Sequence, residues 1–539
     1  MKIRYPDFFS IYYENWFSDG KFDTVIKKDD ISVETMSENN CLNIYLSADK
    51  TPVKYLRLFW HFKGDEKRKE NVRVLGDEWE RTYGKTSWQG IVARRCMPWV
   101  CSVSNGTDSN TDYTGRFTEC FGVKVRPNAM CFWQYDTSGI TLWIDTRCGG
   151  VGVVLSGRKI ELCSITFGEY RDMSAFDAVN NFYKTLCCDK LEVNHKIYGT
   201  NNWYYAYGRS SHEDIIKDTE LLAEMCSKNE NPPYMVIDSG WEENSSSGPW
   251  DKSRASFPDM KRLADEIKAY GVRPGIWVRP LSDIKGKLKL FKDGQRISYN
   301  KQYLDPSHPS VLEYIEDFIS VISKDWGYKL IKHDFTTYDM FGFWGFERDE
   351  IFAADGWSFY DKGKTSAEII KNLYKAIYDS AAEGTVILGC NVIGHLAAGY
   401  AHVNRVGDDT SGVDWERTRN YGVNTLAFRM CHKAFFEPDV DCVGVTERID
   451  WKLNRNWLDI VAKSGTPLFV SPKPSDLTDE IRASLVKAYK INSIQTDVLK
   501  PLDWMENAAP DRWLLNGKEI KYNWYPESGI KSIEEKVVR

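Results

Sequence analysis

The sequence predicts an α/β protein in which an N-terminal β-sandwich precedes a (β/α)8 TIM barrel. Three observations predict this fold class. Residues 1 to about 170 carry short apolar or alternating runs, with turn signals between them and no long helical period. From about residue 200, strand-like runs alternate with helical segments eight times over about 300 residues. At 539 residues, the chain is also too long for one ordinary hydrophobic core.

Residues 1–172 form the predicted sandwich. Turn signals such as Asp-Thr-Ser-Gly at 136–139 and Gly-Gly at 149–150 separate its strands. Residues 173–200 are predicted to be a helical connector. The apolar residues of 174–186 have helical spacing, and this segment begins with Ser174, which could cap a helix. The predicted sandwich strands include 42–46, 53–62, 131–135, 140–145 and 151–155.

Residues 201–498 form the predicted barrel. Long loops after its second, third and fourth strands would crowd the C-terminal face, where the active sites of such barrels form. Residues 499–539 are too few for a third domain, so they are either a short extension or the stub of a β-domain. The predicted barrel strands are 202–207, 234–238, 273–278, 328–334, 385–390, 402–408, 441–445 and 467–471.

Composition argues against several classes of partner and site. A net charge of −6 argues against nucleic acid as the main partner. No window approaches the roughly 18 apolar residues of a membrane span, and the N-terminus reaches an acidic residue before a signal-peptide core could form. The 13 cysteines include no C-x-x-C pair, which argues against a metal site, and without a signal peptide or a membrane span we expect a cytoplasmic location. A homo-oligomer is an open alternative to a monomer.

The fourth predicted strand ends in three ionisable residues, Lys332, His333 and Asp334. Because side chains alternate along a strand, Lys332 and Asp334 share one face and His333 points to the other. A lysine beside an aspartate favours the ionised carboxylate. Alone, this stretch is typical of a strand-end ion pair, but at the open end of a barrel it would suit a nucleophile.

Other predicted strand ends also carry polar and aromatic side chains. Taken singly, Asp238 would close a turn, Asp408 and Asp409 would cap a helix, and the tryptophans would be packing residues. The pair Asp439 and Asp441 would be loop or strand-edge residues, and Cys390 a buried small residue. Taken together, three carboxylates at strand ends with aromatic neighbours predict a sugar-cleaving site. Its further candidates are Trp203, Trp241, Trp277, Cys390 and Arg405.

Six motifs in order resemble the α-galactosidase clan, which comprises glycoside hydrolase family 36 and its relative, family 27. They are specific for the clan and not for its substrate. The motifs are N-W-Y-Y-x-Y at 202–207, I-D-x-G-W at 237–241, the segment from G-P-W to G-I-W-V-x-P at 248–280, K-x-D at 332–334, G-C at 389–390 and G-D-D-T at 407–410.

The resemblance implies a retaining glycosidase without a cofactor, acting on an oligosaccharide or glycoside. Its nucleophile falls on Asp334, and its lysine contacting sugar and nucleophile falls on Lys332. The acid/base falls on Asp408, with Asp409 as the alternative, and a sugar-binding aspartate falls on Asp238. In a retaining enzyme, the two working carboxyl groups would lie about 5–5.5 Å apart.

Two departures from the family pattern leave the sugar open. Ser239 replaces the second aspartate of D-D-G-W, and C-N-V-I-G-H at 390–395 replaces the family's C-S-G-G-G loop. An α-galactoside, an α-N-acetylgalactosaminide and a glycoside of another α-linked sugar are therefore all candidate substrates. An α-glycosyl transferase of the raffinose-synthase type and a non-catalytic sugar-binding relative are the alternative functions.

Overall fold

The computed structural model describes residues 4–13, 16–62, 72–80, 86–107, 112–283, 303–495, 498–527 and 529. Its N-terminal part is the predicted β-sandwich, made of two antiparallel sheets with strand orders β2-β1-β6-β12-β11-β8 and β3-β4-β5-β13-β10-β9-β7. The strands are β1 (Phe8–Tyr13), β2 (Trp16–Lys21), β3 (Val25–Lys28), β4 (Ile31–Glu38), β5 (Cys41–Ala48), β6 (Val53–His61), β7 (Val72–Gly76), β8 (Met97–Pro98), β9 (Val100–Asn105), β10 (Phe117–Val123), β11 (Met130–Tyr135), β12 (Gly139–Asp145) and β13 (Lys159–Arg171).

Aromatic side chains join the two sheets of the sandwich. The ring centroid of Trp60 on β6 lies 5.7 Å from that of Phe167 on β13. Phe121 on β10 and Trp133 on β11 lie 6.0 Å apart in the same way. Tilted and edge-on packing at these distances is the preferred geometry of aromatic pairs. The high aromatic content therefore serves, in part, to fill this core.

Helix α1 (Ala175–Leu186) leads from the sandwich into the predicted barrel. Its N-cap is Ser174, whose side chain accepts a hydrogen bond from the backbone N–H of Asp177. The elements that follow are β14 (Tyr198–Asn201), α2 (Trp203–Ala206), α3 (His212–Cys226), β15 (Tyr234–Ile237), α4 (Met260–Ala269), β16 (Arg273–Val278), α5 (Pro309–Ser320), β17 (Leu330–His333), α6 (Thr336–Phe341), α7 (Ser366–Ser380), β18 (Val386–Gly389), α8 (Gly394–Ala397), β19 (Val403–Arg405), α9 (Trp415–Arg417), α10 (Asn424–Phe428), β20 (Glu437–Asp439), β21 (Val443–Val445), α11 (Trp451–Lys463), β22 (Leu468–Pro472) and α12 (Asp479–Asn492).

Parallel pairing closes these strands into a ring. β14 pairs with both β15 and β22, so the first and last strands meet. β20 pairs with β19, whereas β21 pairs with β22, which makes these two short strands the halves of one interrupted strand. Counted in this way, the described part of the chain forms an eight-stranded barrel with its long helices outside, as predicted.

Along the described residues, no helix is long and apolar enough to cross a membrane.

Two strand predictions, 202–207 and 151–155, are wrong, and the seventh barrel strand, 441–445, is confirmed only over Val443–Val445. The segment 202–207 contains helix α2, because the side chain of Asn201 accepts the N–H of Trp203 at 2.9 Å and turns the chain at the end of β14. The predicted seventh strand is interrupted at Asp441, whose φ of 72° is left-handed. The segment 151–155 forms only isolated bridges.

After the barrel, β23 (Lys500–Pro501), β24 (Arg512–Leu515) and β25 (Lys518–Lys521) form a small antiparallel sheet.

Candidate active site

A buried ion pair lies at the carboxyl ends of the barrel strands. Asp238 directly follows β15 and Lys332 lies on β17, so the pair spans β16. Lys332 Nζ lies 2.7 Å from Asp238 Oδ2, with both side chains almost fully buried. The same oxygen accepts a hydrogen bond from Asn201 Nδ2 at 2.8 Å. Burial would lower the pKa of Lys332, but the charge of Asp238 raises it well above its usual value.

Asp334 is held by its neighbours rather than by Lys332. Its Oδ2 accepts the indole N–H of Trp277 at 3.1 Å, and its Oδ1 accepts the backbone N–H of Phe335 at 2.7 Å. The expected pairing of Lys332 with Asp334 is therefore wrong. The buried ammonium pairs with Asp238, and the negative carboxylate compensates a charge that would be costly to bury alone. Asp334 stays partly exposed.

Two of the predicted tryptophans lie in the core. Trp277 is 2% exposed, and its indole group positions Asp334. Trp241 is 0% exposed, and its indole N–H donates to the backbone carbonyl of Trp277 at 2.9 Å. Its ring packs against Trp250 and Trp326. The expectation that Trp241 contacts a sugar is therefore wrong, because its side chain lies fully buried in the core.

Arg405, at the end of β19, binds three carboxylates. Its Nη2 lies 2.6 Å from Asp441 Oδ1, its Nη1 lies 3.0 Å from Asp409 Oδ1 and its Nε lies 3.4 Å from Asp439 Oδ2. Burial would lower the pKa of Arg405, but Asp441 and Asp439 help to raise it well above its usual value. Asp439 and Asp441 are buried in this network, so their interpretation as loop or strand-edge residues missed the role that they have.

Asp441 also ties the loop after β19 to the interrupted strand. Its Oδ2 accepts the backbone N–H of Thr410 at 2.7 Å and the hydroxyl of Thr410 at 3.1 Å. The hydroxyl of Tyr204 on α2 donates to the same oxygen. Through Asp441, the segment between β20 and β21 therefore contacts both the loop after β19 and helix α2, which follows β14. The D-x-D spacing after the apolar residues 434–436 is the sequence signal that could have pointed to it.

The two adjacent acids after β19 have different surroundings. Asp408 Oδ2 lies 3.5 Å from Arg417 Nη2, and Asp408 Oδ1 accepts the backbone N–H of Asp409 at 2.8 Å. The side chain of Asp408 is 14% exposed, whereas that of Asp409 is 42% exposed. Since only β18 stands between β17 and β19, both acids lie at the same end of the barrel as Asp334.

The remaining predicted residues, Trp203 and Cys390, lie at the top of the barrel interior. Trp203 is half-buried and packs against an interior cluster that contains Cys390, Val236 and Leu388. Cys390 is buried, and its N–H donates to the carbonyl of His333 at 2.9 Å. The structure therefore brings these two residues into the same cluster beneath the site.

The sandwich reaches the loop that follows β18. Glu80 of the sandwich accepts a hydrogen bond from Asn391 Nδ2 at 2.9 Å, and both residues are buried. Asn391 Oδ1 in turn accepts the backbone N–H of Tyr338 at 3.0 Å. Its carbonyl accepts the hydroxyls of Thr336 and Thr337 at 2.8 and 3.1 Å. The first domain thus supports helix α6, which begins two residues after Asp334.

The loop after β15 is organised by a carboxylate that the sequence reading missed. Glu242 is fully buried and accepts the hydroxyl of Ser239 at 2.9 Å. It also accepts the backbone N–H groups of Gly240 at 2.8 Å and Ser246 at 2.6 Å. The serine that replaces the family's second aspartate therefore donates within its own loop.

His333 faces away from the site, as the strand alternation predicts. Its ring lies 5.9 Å from the ring of Tyr374 on α7, the helix outside the barrel. Burial lowers the pKa of His333 to about 4, although the charge of Asp334 opposes this shift. The folded protein therefore keeps this imidazole neutral at pH values where an exposed histidine is charged.

We expect the His333→Gln variant to lose less stability than the wild type between pH 7 and pH 5. Between the folded pKa of about 4 and the unfolded value near 6.5, only the unfolded chain binds a proton at His333, so stability falls as the pH falls. At pH 5 this amounts to about 2 kcal/mol. The measurement is Tm at both pH values, with the exposed His61→Gln as control. Equal Tm losses in wild type and His333→Gln would contradict the prediction.

No family model and no curated protein matches the chain. Solved structures do match it. TtGalA, an α-galactosidase from Thermus thermophilus in complex with p-nitrophenyl α-D-galactopyranoside, has a TM-score of 0.58 and 15% identity over 95% of this chain and 98% of that chain. The family 36 α-galactosidase AgaA from Geobacillus stearothermophilus, in complex with 1-deoxygalactonojirimycin, has a TM-score of 0.59 and 12% identity over 95% and 79%.

A cycloalternan-degrading enzyme from Trueperella pyogenes is similar as well, with a TM-score of 0.54 and 10% identity over 96% of this chain and 88% of that chain. The likeness to all three proteins spans both the sandwich and the barrel, because it covers nearly the whole chain. At these identities it establishes the fold. The chain therefore shares the fold of the α-galactosidases of glycoside hydrolase family 36.

Proposed function

We propose that the protein is a retaining α-glycosidase that hydrolyses terminal α-linked, galactoside-like sugars. The observation that carries the proposal is the placement of Asp334, a partly exposed carboxylate oriented by two hydrogen bonds at the open end of β17. A nucleophile needs such fixed geometry, and a sugar ring needs fixed polar partners. The buried pair of Asp238 and Lys332 supplies charged groups for its hydroxyls.

In the proposed mechanism, Asp334 attacks the anomeric carbon and forms a covalent glycosyl–enzyme intermediate. Asp408 protonates the glycosidic oxygen as the leaving group departs, and then takes a proton from the water that hydrolyses the intermediate. The backbones of β17 and β19 are about 10 Å apart, because one strand separates them. Asp334 and Asp408 follow these two strands. If their side chains point towards each other, their carboxyl groups can come as close as the roughly 5–5.5 Å that double displacement needs.

Asp408 is favoured over Asp409 as the acid. Asp409 forms an ion pair with Arg405 at 3.0 Å, and an arginine is always charged in proteins. A carboxylate committed to this pair is a poor proton donor. Asp408 lies 3.5 Å from Arg417, a looser contact, and its side chain is the more enclosed of the two.

We also propose a cytoplasmic location, which the 13 free cysteines support.

A panel of aryl α-glycosides of galactose, N-acetylgalactosamine and glucose tests the proposed function. We expect hydrolysis of at least one, with the α anomer as the first product seen by proton NMR. A first-formed β anomer would exclude double displacement. Transfer to an added sugar acceptor would favour the raffinose-synthase-type alternative, and saturable binding without any product would favour the non-catalytic relative.

A further inference from the structure

The outer face of one sandwich sheet carries aromatic side chains, where an antiparallel sheet in water usually shows polar ones. On the neighbouring strands β1 and β6, buried side chains alternate with an outward set. None of the six residues of this outward set is aliphatic. The outer face of the second sheet, in contrast, carries polar residues such as Glu34 and Asn43. The outward set is Phe8, Ser10 and Tyr12 on β1, and Tyr55, Arg57 and Phe59 on β6.

Four aromatic rings form a closed cluster on this face. The ring centroid of Tyr12 lies 4.6 Å from that of Phe17 on β2 and 6.0 Å from that of Tyr55. Trp143 on β12 completes the cluster, at 6.0 Å from Phe17 and 6.5 Å from Tyr55. Phe17 is 43% exposed, and the other three rings are half-buried. The cluster therefore presents ring surface that a ligand can reach.

A pair of rings lies further along the same two strands. Phe8 is 42% exposed, and its ring centroid lies 6.4 Å from that of Phe59. Phe8 and Tyr12 are four residues apart on β1, which separates the pair from the cluster by about 13 Å. This distance is longer than one pyranose ring. The aromatic face is therefore too long to be covered by a single monosaccharide.

Arg57 lies between the pair and the cluster. Its guanidinium is 5.4 Å from the ring centroid of Phe59 and 5.8 Å from that of Trp143. Its Nη1 donates to Ser10 Oγ at 3.5 Å, and it forms no ion pair with any residue that the structure describes. A half-buried guanidinium with five N–H donors is costly to leave without acceptors. The face therefore favours a ligand that brings both oxygen acceptors and an apolar surface.

A carbohydrate chain combines these two properties. The C–H groups of a pyranose ring pack on aromatic rings, and the ring's hydroxyl oxygens accept hydrogen bonds from an arginine. A second copy of this chain fits less well. Packed on the centre of the face about a twofold axis, it would bring two Arg57 side chains together, which the repulsion of like charges opposes.

The aromatic face also continues to the barrel. The guanidinium of Arg147 lies 4.7 Å from the ring centroid of Tyr55, and its Nη1 donates to the carbonyl of Ala353 at 3.1 Å. Ala353 belongs to the loop between helices α6 and α7, which follows the strand that leads to Asp334. A ligand on this face would therefore lie beside a loop from the same end of the barrel as the candidate active site.

We propose that this face of the sandwich is a glycan-binding surface, separate from the candidate active site, that binds a neutral chain of two or more pyranose units. One unit packs on Phe8 and Phe59, and another packs on the cluster around Tyr12 and Phe17. Arg57 donates hydrogen bonds to the hydroxyl groups between them. The inference goes beyond the proposed function and does not depend on it, because none of these residues belongs to the candidate active site.

Native gel electrophoresis, with galactomannan, dextran or a soluble β-glucan in the gel, tests this surface. We expect at least one of these polysaccharides to retard the wild type. The Phe8→Ala/Phe17→Ala double variant should bind that polysaccharide at least about tenfold more weakly, and it should fold, since both rings are exposed. Arg57→Gln keeps every ring and should also weaken binding. The control is Tyr45→Ala, which removes a half-buried ring from the outer face of the other sheet and should be retarded like the wild type.

A wild type that none of the three polysaccharides retards would overturn the proposal. Unchanged retardation of both the double variant and Arg57→Gln would overturn it as well. Sedimentation without polysaccharide tests the other occupant, and a wild-type dimer that the double variant fails to form would assign the face to a second copy of the chain and overturn the glycan.

Two further measurements separate this surface from the proposed function. The Asp334→Gly variant should be retarded as strongly as the wild type, and its loss of retardation would place the glycan in the active site and overturn the surface. The Phe8→Ala/Phe17→Ala variant should keep the wild-type kcat/KM on any aryl α-glycoside that the wild type hydrolyses. If the wild type hydrolyses none, the proposed function fails, and the retardation still decides whether the surface exists.

Discussion

We expect the Asp334→Gly variant to lose about 10⁴-fold or more of kcat on any aryl α-glycoside that the wild type hydrolyses. Without the carboxylate, no covalent intermediate forms, and the remaining polar groups only bind the sugar. Sodium azide should restore turnover, because the small anion fits where the carboxylate stood and attacks the anomeric carbon. The measurement is the rate of aryl release with and without azide, together with the identity of the sugar product.

The configuration of that product decides the mechanism. Direct attack by azide inverts the anomeric carbon, so a β-glycosyl azide is expected where the wild type gives an α-sugar. The Asp355→Ala variant removes an exposed carboxylate from the loop after β17 and should keep wild-type kcat. Wild-type turnover by Asp334→Gly would exclude Asp334 as the nucleophile. An α-configured azide product would exclude a single displacement in the variant.

Local patterns in the sequence predicted the strand that carries Asp334. An apolar run followed by alternating ionisable residues was enough to place His333 outside the barrel, and the structure confirms this orientation. The partner of Lys332 was not predictable in the same way. Which carboxylate the ammonium reaches depends on how neighbouring strands align, and that alignment depends on closure of the whole barrel. Trp241 was misassigned for the same reason, since its burial depends on Trp250 and Trp326.

Long-range contacts account for the other residues that were missed. Glu80 and Asn391 are 311 residues apart, and no local pattern in the sequence connects them. Their hydrogen bond exists because the sandwich packs against the barrel near the site. Asp441 had a local signal in its D-x-D spacing, but its role became visible only with Arg405 beside it. Sequence patterns thus predicted the elements, whereas their assembly determines the electrostatics of the site.

Removal of Arg405 should have the largest effect on stability. In the Arg405→Met variant, the buried Asp439 and Asp441 would lose their shared cation, and breaking a buried ion pair in this way costs about 3–5 kcal/mol. We expect a clear fall in Tm relative to the wild type. The control, Arg455→Met, removes an exposed arginine that lies 3.3 Å from Glu480, and such surface pairs contribute about 0–1 kcal/mol.

A second substitution distinguishes lost charge compensation from lost packing. Adding Asp441→Asn to Arg405→Met removes one of the unpaired carboxylates, while the amide can still accept the N–H of Thr410. The double variant should therefore be more stable than Arg405→Met alone, because its remaining buried charge is smaller. If the second substitution lowers Tm further, the network stabilises the barrel through its hydrogen-bond geometry and not through its charges. In that case Arg405 acts as a scaffold for the loop of Asp408, and the arginine would matter for activity even in variants that fold.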